Sequence, residues 1–141
     1  TSALQRQDVS SAWSAFGRLT HTAQDFYAHS NYVDLWLSRQ PAGAPRTPPE
    51  IDPVHPDLLH AEALRSGKIY LPELLSFIPL LKPLIMSLLP RDSHAWMNLD
   101  SPARGPKFDY VFQAALKRTR IEFEQTTKGL PQDLFALFVD K

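Results

Sequence analysis

From Val9 to Tyr27 the apolar residues Val9, Ala12, Phe16, Leu19, Ala23 and Phe26 recur at three- and four-residue steps, the period of one helical face. Asp8 or Ser10 stands where a side-chain cap belongs. The same period returns after Pro106, where Phe108, Val111, Phe112, Ala115, Thr119 and Phe123 predict a second long helix that Gly129 and Pro131 end. A short helix is expected in "PDLLHAEALRSG", with Pro56 in its first turn and Gly67 as its stop, and a final one in "QDLFALFVDK". No strand alternation and no internal repeat stands out, so the expected class is all-α, in one domain over residues 1–141.

Three stretches resist that periodicity. Residues 39–56, "RQPAGAPRTPPEIDPVHP", carry six prolines and predict an irregular crossing loop. Residues 69–90, "IYLPELLSFIPLLKPLIMSLLP", are the most apolar part of the chain, yet prolines at 72, 79, 83 and 90, together with Glu73 and Lys82, interrupt them. A membrane span needs roughly 20 apolar residues without such breaks. A buried, broken helix pair is therefore expected, with a lipid-facing or partner-facing cover over a site as the alternative. "RDSHAWMNLDSPARGP" is a second loop rich in turn formers.

With 141 residues, 43% of them hydrophobic, the chain has enough material for one core and too little for two. Its 15 Lys+Arg balance its 15 Asp+Glu, so net charge supplies no attraction for nucleic acid or an anionic surface, and recognition has to be local. There is no cysteine, which leaves His, Asp, Glu and water as metal ligands. The opening "TSALQRQDVSS" has neither the basic start nor the apolar run of a secretory signal, and a start at Thr1 reads as a mature or trimmed product.

Candidate chemistry concentrates in "HTAQDFYAHSN", residues 21–31. On a helix His21, Asp25 and His29 fall within about 80° of arc, opposite the stripe through Phe16, Leu19 and Ala23. His21 and Asp25 lie roughly 6 Å apart along the axis and can share an ion, whereas His21 and His29 are about 12 Å apart. Zinc–ligand bonds are near 2 Å, so binding by all three residues requires at least two ions, with Asp25 reaching toward both. The plainer reading is an exposed helix pair worth a few tenths of a kcal/mol. Tyr27, Ala28 and Ser30 around the trio make an unusual solvated surface, and they favour a grip on metal. His94, Asn98 and Asp100 in the second loop are further candidates, although an aspartate before "SP" also serves as a turn cap. Tyr27, Asn31 and Asn98 are expected behind the ligands, fixing their orientation. His55 and His60 are weaker candidates, closer to ordinary surface or packing histidines.

"GRLTHTAQDFYAHSNYVDLW" resembles the signature of the Het-C family, named for fungal heterokaryon incompatibility, and "HAWMNLDSP" followed by a helix with Tyr110 and Thr119 resembles that family's next block. Together the blocks span most of residues 11–128. More distantly, the His-x-x-x-Asp run with a following His is similar to the metal helix of zinc-dependent phospholipases C and single-strand-specific zinc nucleases. That resemblance implies an all-helical fold, clustered zinc ions (two or more here) and hydrolysis of a phosphodiester. It also implies a secreted or extracytoplasmic address. It departs in having only "FYA" between Asp25 and His29 and in following His94 with Asn98 where those enzymes have a glutamate. A three-zinc cluster cannot be completed from the matched residues, so the remaining ligands are expected from a longer chain or a partner subunit, unless the site is a reduced one.

The leading expectation is thus a zinc-dependent phosphodiester hydrolase with metal ligands His21, Asp25, His29, His94 and Asp100. A phospholipid is favoured over a nucleic acid, because 69–89 is apolar and no Lys/Arg cluster is present. The alternative is a non-catalytic interaction or cell-death module with a structural or vestigial metal site, docking through 69–89 on a membrane surface or another protein.

Overall fold

The computed structural model describes residues 2–41 and 47–140. Seven α-helices follow one another among these residues: α1 (Ser2–Gln5), α2 (Val9–Ala28), α3 (Tyr32–Arg39), α4 (Pro56–Leu59), α5 (Lys82–Leu88), α6 (Lys107–Thr127) and α7 (Gln132–Val139). Single 3-10 turns occupy Pro48–Glu50 and Pro102–Arg104, and a longer 3-10 stretch runs Leu71–Phe77. The fold is all-α, and two isolated β-bridges are the nearest thing to a strand among the described residues.

Helix α2 starts where the Asp8 carboxylate accepts the Ser11 N–H at 3.0 Å. Its partner is α6. Phe16 meets Phe123 edge-on, and eight residues later Gln24 donates to the Thr119 hydroxyl at 2.8 Å, so the two helices run antiparallel. The buried side of α2 is rotated from the expected stripe: Thr20, Tyr27 and Ala28 are buried, while Leu19 is 45% exposed. Phe112, expected inside on α6, is likewise 53% exposed, and Val111 and Ala114 carry that contact. Trp13 stacks on Phe138 at 4.6 Å and donates to its carbonyl, which locks α7 across the start of α2.

At the other end of α2 lies an aromatic knot. Phe26, Tyr27 and Tyr32 meet edge to face at centroid distances of 5.0–5.6 Å. The hydroxyls of Tyr27 and Tyr32 donate to the carbonyls of Pro53 and Asp52 at 2.7 and 2.6 Å. Lys117 of α6 donates to the carbonyls of Pro49 and Ile51. The proline-rich loop is therefore tied down from 47 onward, and the 3-10 turn at Pro48–Glu50 lies within it. Its first half, 42–46, lies outside the described residues.

Several local expectations need correction. Helix α3 has only eight residues, too few for its period to stand out from the sequence, yet it buries Tyr32, Val33 and Trp36. The helix after Pro56 closes at Leu59, so Gly67 ends nothing. The stretch 69–90 does break at its prolines into a 3-10 segment and α5, but it is not buried: Leu71, Leu80 and Leu88 are 81%, 89% and 71% exposed. No helix among the described residues is long and apolar enough to cross a membrane.

Burial pushes the phenols of Tyr27 and Tyr32 up to about 12. A raised phenol favours the neutral form in the fold, so its stabilisation is complete below the unfolded value near 10 and is lost as pH rises toward 12. An alkaline ultraviolet titration of the four tyrosines is expected to show a late component near pH 12 that shrinks in both Tyr27→Phe and Tyr32→Phe. All four ionising together near pH 10 in the folded protein contradicts this packing.

Candidate metal centre

Helix α2 ends at Ala28 because His29 leaves helical geometry, with φ −120° and ψ 26°. That break divides the expected trio. His21 and Asp25 stay on the helix, where His21 Nε2 lies 3.4 Å from Asp25 Oδ2 and the side chains are 74% and 47% exposed. His29 turns inward, its side chain 10% exposed.

What His29 meets comes from the loop after α5, and that loop in turn meets the 3-10 stretch. Its ring stacks on that of His94 with centroids 3.6 Å apart and planes 15° from parallel. Its Nε2 lies 3.3 Å from Asp100 Oδ2. The far ring, His94, presents Nδ1 at 3.5 Å from Glu73 Oε1. Carboxylate, imidazole, imidazole and carboxylate thus follow in order. The Asn98 side-chain amide donates to Asp100 Oδ2 at 2.7 Å and its oxygen accepts the Asp100 N–H, so Asn98 fixes the aspartate directly. Glu73 is buried, and its second oxygen accepts the Tyr70 N–H.

A seam of backbone hydrogen bonds brings these segments together. The Gly67 N–H donates to the His29 carbonyl at 2.7 Å, Lys68 N–H to Asp92, and His94 N–H back to Lys68. Asn31 extends the seam with its side chain, accepting from Arg65 N–H and donating to the Ala63 carbonyl. Lys68 and Tyr70 both hydrogen-bond the Asp92 carboxylate, which holds its carboxyl below the usual range and pushes Lys68 and Tyr70 up. Tyr27, expected behind the ligands, gives its hydroxyl to Pro53 instead. His60 is exposed at the end of α4, and His55 donates its backbone N–H to the Tyr32 oxygen.

A groove of about 280 Å³ opens beside the ring pair, lined by Glu73, His94, Asn98 and Asp100 with the cations Lys82 and Arg104. A larger cavity of about 350 Å³, bordered by Asp34, Arg91, Trp96 and Lys107, has no imidazole in its wall. The smaller one has an imidazole, His94, in its wall.

In kind, the residues fit zinc: two imidazoles and two carboxylates. His29 Nδ1 is buried with no hydrogen-bond partner among the described residues, as is His55 Nδ1, and a buried polar atom of this kind calls for a partner. Their present arrangement is another matter, because among the described residues no three His, Asp or Glu side chains converge on one point. The stack is the physical reason, since parallel rings aim their nitrogens side by side. Glu73 and Gly67 escaped sequence reasoning. Glu73 could have been flagged as the lone carboxylate of an apolar run, whereas the role of Gly67 leaves no local mark.

Comparison with family models, curated proteins and solved structures returned no match.

A Cβ on Gly67 would sit 2.8 Å from the His94 Cα and 3.1 Å from its backbone nitrogen. Backbone cannot swing aside as a side chain does. Gly67→Ala is therefore expected to cost about 1–3 kcal/mol in urea unfolding, the usual range for overpacking. An unchanged midpoint shows that the seam yields without cost.

Proposed function

We propose that His29, His94, Glu73 and Asp100 form a divalent-metal site, zinc by ligand type, serving hydrolysis of a phosphodiester. The observation that carries this reading is the buried, unpartnered His29 Nδ1 within a set of two imidazoles and two carboxylates beside an open groove. When bound, such an ion lowers the pKa of water and withdraws charge from a phosphoryl oxygen.

The chain's own residues supply the rest. Asn98 holds Asp100 against His29, and Glu73 is held by the Tyr70 N–H against His94. Ring orientation is thereby set from both ends. His94, 40% exposed against 10% for His29, is the ring with room to leave the stack. Lys82 and Arg104 bring positive charge to the groove wall, where they attract an anionic substrate and oppose charge developing on its phosphoryl oxygens. His21 and Asp25 stand apart as an exposed pair, and no third His, Asp or Glu among the described residues joins them.

A second reading is favoured by the ring stack itself: the four side chains brace the loops as a structural bolt in an interaction module.

Metal content and zinc affinity of protein purified without a histidine tag separate the two. His29→Ala and His94→Ala are each expected to weaken zinc binding more than about 100-fold, beyond what loss of an orienting neighbour causes, with His21→Ala near wild type. Hydrolysis of bis(p-nitrophenyl) phosphate should fall in step. No zinc uptake on add-back assigns the cluster to bracing, and loss of metal in His21→Ala alone returns the site to the helix face.

A further inference from the structure

Among the described residues, most of the exposed large apolar side chains lie in one segment. Ile69, Leu71, Leu74, Leu80, Leu84 and Leu88 are 57–89% exposed, distributed over the residues leading into the 3-10 stretch, that stretch itself, the turn after it and α5. Water contact on that much leucine surface is unfavourable, and large apolar patches of this kind mark docking faces.

Cations predominate among the charges around the patch. Between residues 65 and 91 the exposed ionic side chains are Arg65, Lys68, Lys82 and Arg91, and the carboxylate in that range, Glu73, is buried; Lys68 is ion-paired with Asp92 at 2.9 Å, which leaves Arg65, Lys82 and Arg91 as the local cationic excess. Lys82 stands between Leu80 and Leu84. The neutral net charge of the chain conceals this local excess. Leucines rimmed by Lys and Arg complement an anionic lipid surface, the apolar side chains entering the headgroup and acyl boundary while the cations meet phosphates. A second copy of the chain suits the face less well, because two-fold pairing sets the same cationic rim against itself.

We infer that the 69–88 face docks on an anionic phospholipid bilayer. The inference deepens the proposed function, since Glu73, Lys82 and Met86 of this same segment line the groove beside His94, and a docked bilayer brings phosphodiester headgroups to its mouth. The partly buried Trp96 donates to the Met86 carbonyl and carries Arg91 over its ring, which ties α5 to the loop bearing His94.

The test is co-sedimentation of the full chain with vesicles of phosphatidylcholine mixed with phosphatidylglycerol, against phosphatidylcholine alone, in EDTA. Metal binding and hydrolysis then have no part in the readout, and failure of the metal reading leaves it untouched. The wild type should pellet with the mixed vesicles and less with phosphatidylcholine alone. Leu71→Ser with Leu80→Ser, both residues too exposed to support the core, should weaken binding roughly tenfold or more. Lys82→Glu should weaken it too, with a smaller salt dependence. Protein that stays in the supernatant with both vesicles, or pellets regardless of these substitutions, overturns the inference. So does a dimer in light scattering that dissociates in the double variant, which assigns the face to a second copy.

Discussion

The meeting of His29 with His94 hangs on a short run of backbone hydrogen bonds across Gly67. Residues 29, 67–68 and 92–94 lie far apart in the chain, and the bonds Gly67 to His29, Lys68 to Asp92 and His94 to Lys68 lay them side by side. Only a residue without a Cβ allows the His94 backbone to come this close. The two imidazoles stack because their main chains have already been brought together, and the carboxylates at either end complete a row whose members come from three segments. In a helical protein this small patch of strand-like pairing is the part with the least redundancy.

The helices serve the seam as a rigid frame. Antiparallel packing of α2 on α6 fixes the end of α2, and the tyrosine hydroxyls on the Pro53 and Asp52 carbonyls fix the loop beneath it. His29 is thus delivered by a rigid element, while His94 and Asp100 ride on a loop anchored by Trp96 and by the hydrogen bond from Leu99 to the Ala28 carbonyl. This asymmetry matches the exposures of the two rings. It leaves His94 the more accessible of the two rings.

The sequence made the long helices, the Asp8 cap of α2 and the all-α class legible, because twenty residues of period are hard to mistake. Helix α3 and the 3-10 stretches were less legible, being shorter than the window over which periodicity shows. The pairing of His21 with Asp25 followed from helical geometry, and so did the separation of His21 from His29. That His29 leaves the helix and joins His94 did not follow, because a terminus is decided by tertiary hydrogen bonds and not by the spacing of side chains. The apolar run 69–90 misled for a related reason: composition suggested burial, and only the packing shows that most of its leucines are exposed while Glu73, Ile85 and Leu89 are buried. The motif resemblance to Het-C and to the zinc phospholipases rests on the quoted residues alone.

Imidazole nitrogen NMR during a zinc titration tests the central claim, that His29 and His94 act as one centre, without relying on mutants. The chain has five histidines, so the spectrum is simple enough to assign. The account predicts that the ring signals of His29 and His94 change together in a single stoichiometric step, while those of His21, His55 and His60 hold still. If His21 moves with His29, or if no ring moves at all, the seam is structural and the chemistry of this protein lies elsewhere.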